Sequence, residues 1–195
     1  MENSLNKEIT STHISKGKTI YVLLGPSGSG KTTIGNYLKE LGIPEIVTHT
    51  TRPMRKGEAE GVSYHFVSKE EFDATDKIEE VCYSGNYYGI SRKEITSKLE
   101  TNDAIFVICD VNGMKKIREA FPDNTKVLFF NISLQQMVKR MKRRGDSKED
   151  IQKRLQYAQE HEELSQKKYA DVIIHNRWLW LTKWKVKRII EKKQH

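Results

Sequence analysis

Gly25-Pro26-Ser27-Gly28-Ser29-Gly30-Lys31-Thr32 follows the apolar run Thr19-Ile20-Tyr21-Val22-Leu23-Leu24 and precedes Thr33-Ile34-Gly35-Asn36-Tyr37-Leu38-Lys39-Glu40-Leu41. The pattern G-x-x-x-x-G-K-T, set between a strand-like and a helix-like segment, is a P-loop. Its glycines let the backbone turn tightly, so that several N–H groups point inward at phosphate oxygens. A helix starting near Lys31 adds its positive end. Lys31 reaches the outer phosphates as a point charge, and the Thr32 hydroxyl suits magnesium. The motif predicts a nucleoside triphosphate ligand held by Gly25, Pro26, Ser27, Gly28, Ser29, Gly30, Lys31, Thr32 and Thr33, with Thr32 as the metal ligand. It does not by itself name a reaction.

Outward from this loop the chain reads as alternating strands and helices. Residues 19–24 form a buried strand and 31–41 a helix stopped by Gly42 and Pro44. From Glu45 the pattern becomes short, polar and rich in glycine and tyrosine, which predicts an inserted subdomain of short strands and turns. A short helix is expected at 93–100. Ala104–Cys109 is a continuous apolar run, expected as a strand buried on both faces, and Val127–Ile132 is expected as a third buried strand. Ser133 and Gln136 form a capping box ahead of Leu134, Met137, Val138 and Met141, the expected apolar face of the next helix. A further helix is predicted from Ser147 to about Lys168, with Ile151, Leu155 and Ala158 inward. Val172–His175 is the last strand, and 178–193 a basic helix whose tryptophans are expected to pack on the core. The fold class is α/β, a central parallel sheet flanked by helices, with ligands at the carboxyl ends of the strands. Gly25 and Asp110 stand at such ends.

At 195 residues, 36% of them hydrophobic, the chain fits one domain with a real core. No apolar run approaches the ~20 residues of a membrane helix. Met1–Lys18 is polar and lacks the apolar centre of a signal peptide, so residues 1–17 are expected to be a flexible tail and the protein cytoplasmic. Cys82 and Cys109 have no metal spacing and are expected as free thiols. The formal net charge of +8 fits nucleic acid or a phosphorylated small molecule. Its clusters lie at Lys139–Arg144 and Lys183–Lys193.

The insert carries Thr48-His49-Thr50-Thr51-Arg52-Pro53-Met54-Arg55-Lys56-Gly57-Glu58, then Tyr64, Glu79 and Gly85-Asn86-Tyr87-Tyr88-Gly89. Arg52 and Arg55 can clamp one phosphate, because guanidinium forks match its oxygens. Tyr64 and Tyr88 offer neutral donors to the same group. Glu79 can accept from the N1–H and exocyclic amine of guanine, a bidentate match that adenine lacks. Downstream of a P-loop, these residues describe an acceptor site for a nucleoside monophosphate. His49 is expected to be structural.

With these motifs and the R-x-x-x-R-G segment Arg140–Gly145, the sequence resembles the guanylate kinase family from about Lys18 to Ile190. The resemblance implies a P-loop core (18–47 and 101–195), an acceptor-binding insert (about 48–100) and a short helical lid (about 140–155). It implies phosphoryl transfer from ATP to GMP or dGMP with Mg2+. Arg52, Arg55, Tyr64 and Tyr88 then fall where the family holds the GMP phosphate, and Thr48, Glu79 and Asp110 where it reads guanine. Lys31, Arg52, Arg140, Arg144 and Arg154 are the implied catalytic residues, and Asn176 falls where the family contacts the adenine. Expected partners are ATP and GMP, in a monomer or homodimer, with neither membrane nor nucleic acid.

Four positions depart from the family pattern, one of them, Thr48 for a usual Ser, keeping the hydroxyl, and the insert is a few residues shorter between Tyr64 and Glu79. Ile90 replaces a Ser or Thr that faces the guanine, Ile108 replaces the first acid of L-D-x-D, and Asn112 replaces a Gln. Two alternatives therefore stay open. One is a kinase of the same fold acting on another nucleoside monophosphate or a ribosyl phosphate. The other is a guanylate-kinase-like binding module with impaired catalysis. Retention of Lys31 and the lid arginines favours an active enzyme.

Overall fold

A computed structural model describes Ile14, Ser15 and residues 17–192. The tail expected over 1–17 otherwise lies outside the described residues, as does Lys193 at the end of the last predicted helix. The core sheet contains β1 (Thr19–Leu24), β6 (Ala104–Ile108), β7 (Thr125–Asn131) and β8 (Val172–His175). Its order is β6-β1-β7-β8, and every pairing is parallel. The unbroken apolar runs are explained by burial on both faces. Ile20, Val22 and Leu24 enter one hydrophobic cluster, whereas Tyr21 and Leu23 enter the other. Burial is complete enough to push the Tyr21 phenol up to about 12.

Helices cover both faces. Ile34 and Leu38 of α1 (Lys31–Glu40) pack with Val186 and Ile190 of α7 (Leu179–Glu191). Ile95 and Leu99 of α3 (Arg92–Thr101) join Met114 and Ile117 of α4 (Val111–Ala120) on the other face. Helix starts coincide with side chains that accept from a first-turn N–H: Ser91 for α3, Asp110 for α4, Ser133 for α5 (Leu134–Arg144) and Ser147 for α6 (Lys148–Glu160). The capping box of Ser133 and Gln136 is present.

The insert forms a second, mixed sheet of order β3-β2-β5-β4, made of β2 (His49–Thr50), β3 (His65–Phe66), β4 (Lys77–Tyr83) and β5 (Asn86–Ser91). It also holds a short helix, α2 (Lys69–Ala74), with its own capping box of Ser68 and Glu71. That helix is too short to show a 3.6-residue period, and sequence reasoning missed it.

Three expectations need correction. The helix predicted to reach Lys168 stops at Glu160. Glu162 has φ 46°, a left-handed conformation that no helix interior accommodates, and a 3₁₀ turn occupies Ser165–Tyr169. Leu134 is not inward but exposed. The tryptophans do not pack on the core: Trp178 is 48% exposed, Trp180 68% and Trp184 50%. Helix α7 buries Thr182, Val186 and Ile190 instead. Trp180 and Trp184 stand two positions from Thr182, about 200° around the helix axis, and so face away from the sheet.

Candidate active site

The P-loop connects the end of β1 to α1. Gly25 has φ 144°, and a Cβ there would meet the Phe130 carbonyl oxygen at 2.6 Å. Gly30 has φ 94°, and a Cβ there would meet Asn176 Nδ2 at 2.5 Å. Only glycine allows both approaches. Helix α1 starts at Gly30 without a side-chain cap and without an acid in its first turn. Its N–H groups therefore stay available to an anion.

This helix start opens into a cavity of about 920 Å³ lined by Gly30, Lys31, Thr32, Arg140, Arg144 and Arg154 among others. The Lys31 ammonium folds back onto the Gly25 and Pro26 carbonyls. Burial lowers its pKa, and Glu163 opposes that shift. One Glu163 carboxylate oxygen, Oε2, is buried without a hydrogen-bond partner among the described residues. The role of Glu163 was not read from the sequence, because the chain reversal at Glu162 that brings it here carries no motif.

The arginines expected in the lid are spread around the loop. Arg140 donates to the carbonyls of Gly28 (3.1 Å), Ser29 (3.3 Å) and Asn176. Burial pulls its pKa down. Arg154 Nη1 donates to Ser27 Oγ at 2.7 Å. Arg144 pairs with Asp146 and is held charged by that contact. Asn176 is 3% exposed and spends both ends of its amide inside the protein. Nδ2 donates to the Ser29 carbonyl at 2.7 Å, and Oδ1 accepts from the Thr182 hydroxyl at 2.8 Å.

A second constellation stands on the insert sheet. Arg52 is only 7% exposed. Its guanidinium donates to Glu58 Oε1 at 2.7 Å and to the Pro53 carbonyl at 2.8 Å, and lies 5.2 Å from the Tyr64 ring centroid. The Tyr64 and Tyr88 rings meet edge to face at 5.9 Å. Glu58 Oε2 also accepts from the Arg55 N–H at 2.8 Å, which closes the loop carrying both arginines. The Arg52 hydrogen bond holds the Glu58 carboxyl below its usual range. Arg55 is exposed at the rim. Glu58 was visible only as the last letter of T-T-R-x-x-R-x-G-E, with no part assigned to it.

Glu79 on β4 projects to the first turn of α4, where a Cβ on Gly113 would lie 3.0 Å from its Oε2. Asp110 caps that helix by accepting from the Gly113 N–H at 2.9 Å. Burial, then the Asp110 charge, raises the Glu79 pKa. Thr48 leads into β2, whose His49 ring lies 4.6 Å from that of His65. Ile90 is 3% exposed and belongs to the core cluster, and Ile108 packs beside α1 in the other cluster.

A model of the family described as "Guanylate kinase" matches residues 17–193. This chain belongs to the guanylate kinase family. A guanylate kinase of Synechococcus sp. (strain JA-3-3Ab) is 37% identical over 165 residues, covering 80% of this chain and 75% of the relative. One from Fusobacterium nucleatum is 36% identical over 163 residues, covering 80% and 88%. The crystal structure of guanylate kinase from Anaplasma phagocytophilum superposes with a TM-score of 0.66 at 27% identity, covering 93% of this chain and 88% of that one.

The donor set around Thr32 fits the magnesium that guanylate kinases generally need. Thr32 is exposed at the cavity, whose polar lining is hydroxyl, amide and cationic nitrogen, beside the apolar Met141, Trp178 and Leu179. Among the described residues no group of three His, Cys, Asp or Glu side chains could cage a metal. Magnesium keeps several waters and takes substrate phosphate oxygens, so one protein hydroxyl suits it better than a closed cage would.

Proposed function

We propose that this enzyme transfers the γ-phosphoryl group of ATP to GMP and dGMP. The observation that carries the reading is the buried Arg52. A charge is brought out of water, framed by Glu58 and two tyrosines, on the sheet of the insert. Pairing with Glu58 holds that charge in place, so a phosphate adds to an already positioned guanidinium flanked by phenolic donors.

The acceptor phosphate binds Arg52, Arg55, Tyr64 and Tyr88. Thr48, Glu79 and Asp110 read the guanine. The P-loop N–H groups and Lys31, released from the loop carbonyls, take the donor phosphates. Thr32 holds Mg2+, which when bound neutralises charge on the donor phosphates. Arg144 and Arg154, together with Arg140 once it is released from the carbonyls of Gly28, Ser29 and Asn176, close over the transferring group and exclude water, which limits wasteful hydrolysis. The acceptor phosphate is already ionised at neutral pH, so alignment and charge neutralisation are enough and no general base is required. This assigns a core (18–47 and 101–195), an acceptor-binding insert (about 48–100) and a lid (about 140–155). A cytoplasmic monomer or homodimer working on free nucleotides belongs to the same reading.

Ile90 favours one competing reading, another acceptor on the same fold, because its core-packed side chain brings no hydroxyl to a base. A coupled assay with ATP, Mg2+ and GMP, dGMP, AMP, IMP or UMP tests both. Preference for GMP and dGMP is expected. Preference for another monophosphate transfers the assignment to that acceptor, and turnover no faster than Lys31→Ala on all five overturns the kinase reading.

A further inference from the structure

We propose that the outward face of α7 docks on an anionic lipid surface, with Trp180 and Trp184 at the headgroup level and the basic residues around them on the lipid phosphates. The proposal goes beyond the kinase reading and does not rest on it. Helix α7 turns Thr182, Val186 and Ile190 to the sheet. Trp180 and Trp184 stand one turn apart on the opposite side, and both are exposed. The outward face of a packed helix ordinarily carries polar residues, so two indoles one turn apart form an apolar stripe that the core does not use. Leu179 extends the stripe. It is exposed, and it shares a shallow surface hollow with Trp178, Trp180 and Lys183.

Charge identifies what covers this face. Residues 177–192 hold six Lys or Arg and one acid, Glu191. Lys187 pairs with that acid at 3.6 Å, and Lys183 lies 3.8 Å from Glu40 of α1. Lys185, Arg188 and Lys192 are exposed and have no acidic partner among the described residues. The Arg188 guanidinium lies 5.0 Å from the Trp184 ring centroid, so cation and indole meet a surface together. An indole pairs an apolar body with one N–H, which suits the boundary between headgroups and acyl chains. A basic cluster on a helix face is drawn to anionic lipid. A single nucleic-acid strand would meet the same charges. Its binders line a groove, whereas this face is the convex side of a helix, and Leu179 offers a base no ring to stack on. Among the described residues no helix is long and apolar enough to cross a membrane, so the contact is peripheral.

The full chain is mixed with vesicles of phosphatidylcholine alone or with added phosphatidylserine, and co-sedimentation and indole emission are followed. Binding and a blue shift are expected on the anionic vesicles, weakened by salt, with neither on phosphatidylcholine alone. Lys185→Glu/Arg188→Glu is expected to weaken binding at least about tenfold, since each basic residue near the surface adds its own attraction. Trp180→Ser/Trp184→Ser is expected to weaken it comparably. Thermal unfolding should be unchanged in both, because all four side chains are exposed. If the tryptophan variant fails to fold, the charge variant and the wild-type emission shift decide. No binding of the wild type to anionic vesicles, or unchanged binding in either folded double variant, overturns the proposal. A single-stranded oligonucleotide held more tightly than the vesicles and released by the same variants overturns it in favour of nucleic acid. A wild-type dimer dissociated by Trp180→Ser/Trp184→Ser overturns it in favour of a second copy of this chain.

Discussion

Asn176 and Ser29 lie 147 residues apart and are joined by one hydrogen bond of 2.7 Å between buried groups. That bond ties the end of β8 to the middle of the P-loop, and Thr182 anchors the other end of the amide. Thr182→Val keeps the shape and leaves Asn176 Oδ1 buried without its partner. Urea unfolding should show a loss of about 1–3 kcal/mol. KM for ATP should rise as the loop loosens, whereas KM for GMP stays unchanged.

Arg52 depends on Glu58 in a different way. Arg52→Ala removes a phosphate ligand, and kcat/KM for GMP should fall by about 10² or more. Glu58→Gln keeps the arginine but weakens the contact that aims it, and also the bond to the Arg55 N–H. We expect a rise in KM for GMP with little change in KM for ATP. An equal rise in both would show that Glu58 acts on the whole fold.

Glu79 carries a pH signature. Burial and Asp110 raise its pKa in the folded protein. A carboxyl whose folded pKa is raised contributes stability below its unfolded pKa, near ~4.3, and that contribution is lost as pH rises through the folded value. Glu79→Gln should therefore match the wild type in thermal stability near pH 4 and exceed it at pH 7–8. The same variant should bind GMP more weakly, since an amide cannot accept from both guanine N–H groups. Wild-type stability above that of Glu79→Gln at pH 8 would contradict the sign.

Gly35→Ala weighs two effects against each other. Helix propensity favours alanine by about 1 kcal/mol. The new Cβ would stand 3.0 Å from Phe106 Cε2 and 3.2 Å from Ile108 Cδ1, and Phe106 is fully buried. Overpacking costs about 1–3 kcal/mol, so a net loss of order 1 kcal/mol is expected on urea unfolding. Ile108→Val should recover part of it, because the second contact is then relieved.

The parallel core was legible because residues 20–24, 104–109 and 127–130 announce burial on both faces by unbroken apolar runs, and the P-loop fixes a turn and a helix directly after the first of them. Helix starts were legible at Ser133 and Ser147, where a hydroxyl competes for first-turn N–H groups. The insert was legible as a change of pattern but not as a sheet order, since two-residue strands such as His49–Thr50 carry no periodicity. The end of α6 was misread because a non-glycine residue, Glu162, takes the left-handed conformation there.

The sequence by itself determined a phosphate-binding loop, an α/β core and a set of arginines, tyrosines and acids of the right chemistry. These are local matters of backbone freedom, apolar period and side-chain type. Only the tertiary structure decided what each polar group was free to do. It spent Asn176 and Arg140 on the P-loop, buried Arg52 against Glu58, set Glu79 beside Asp110 and left Trp178 open at the cavity. Hydrogen-bond capacity and exposure depend on partners far away in the chain, and no local pattern records them.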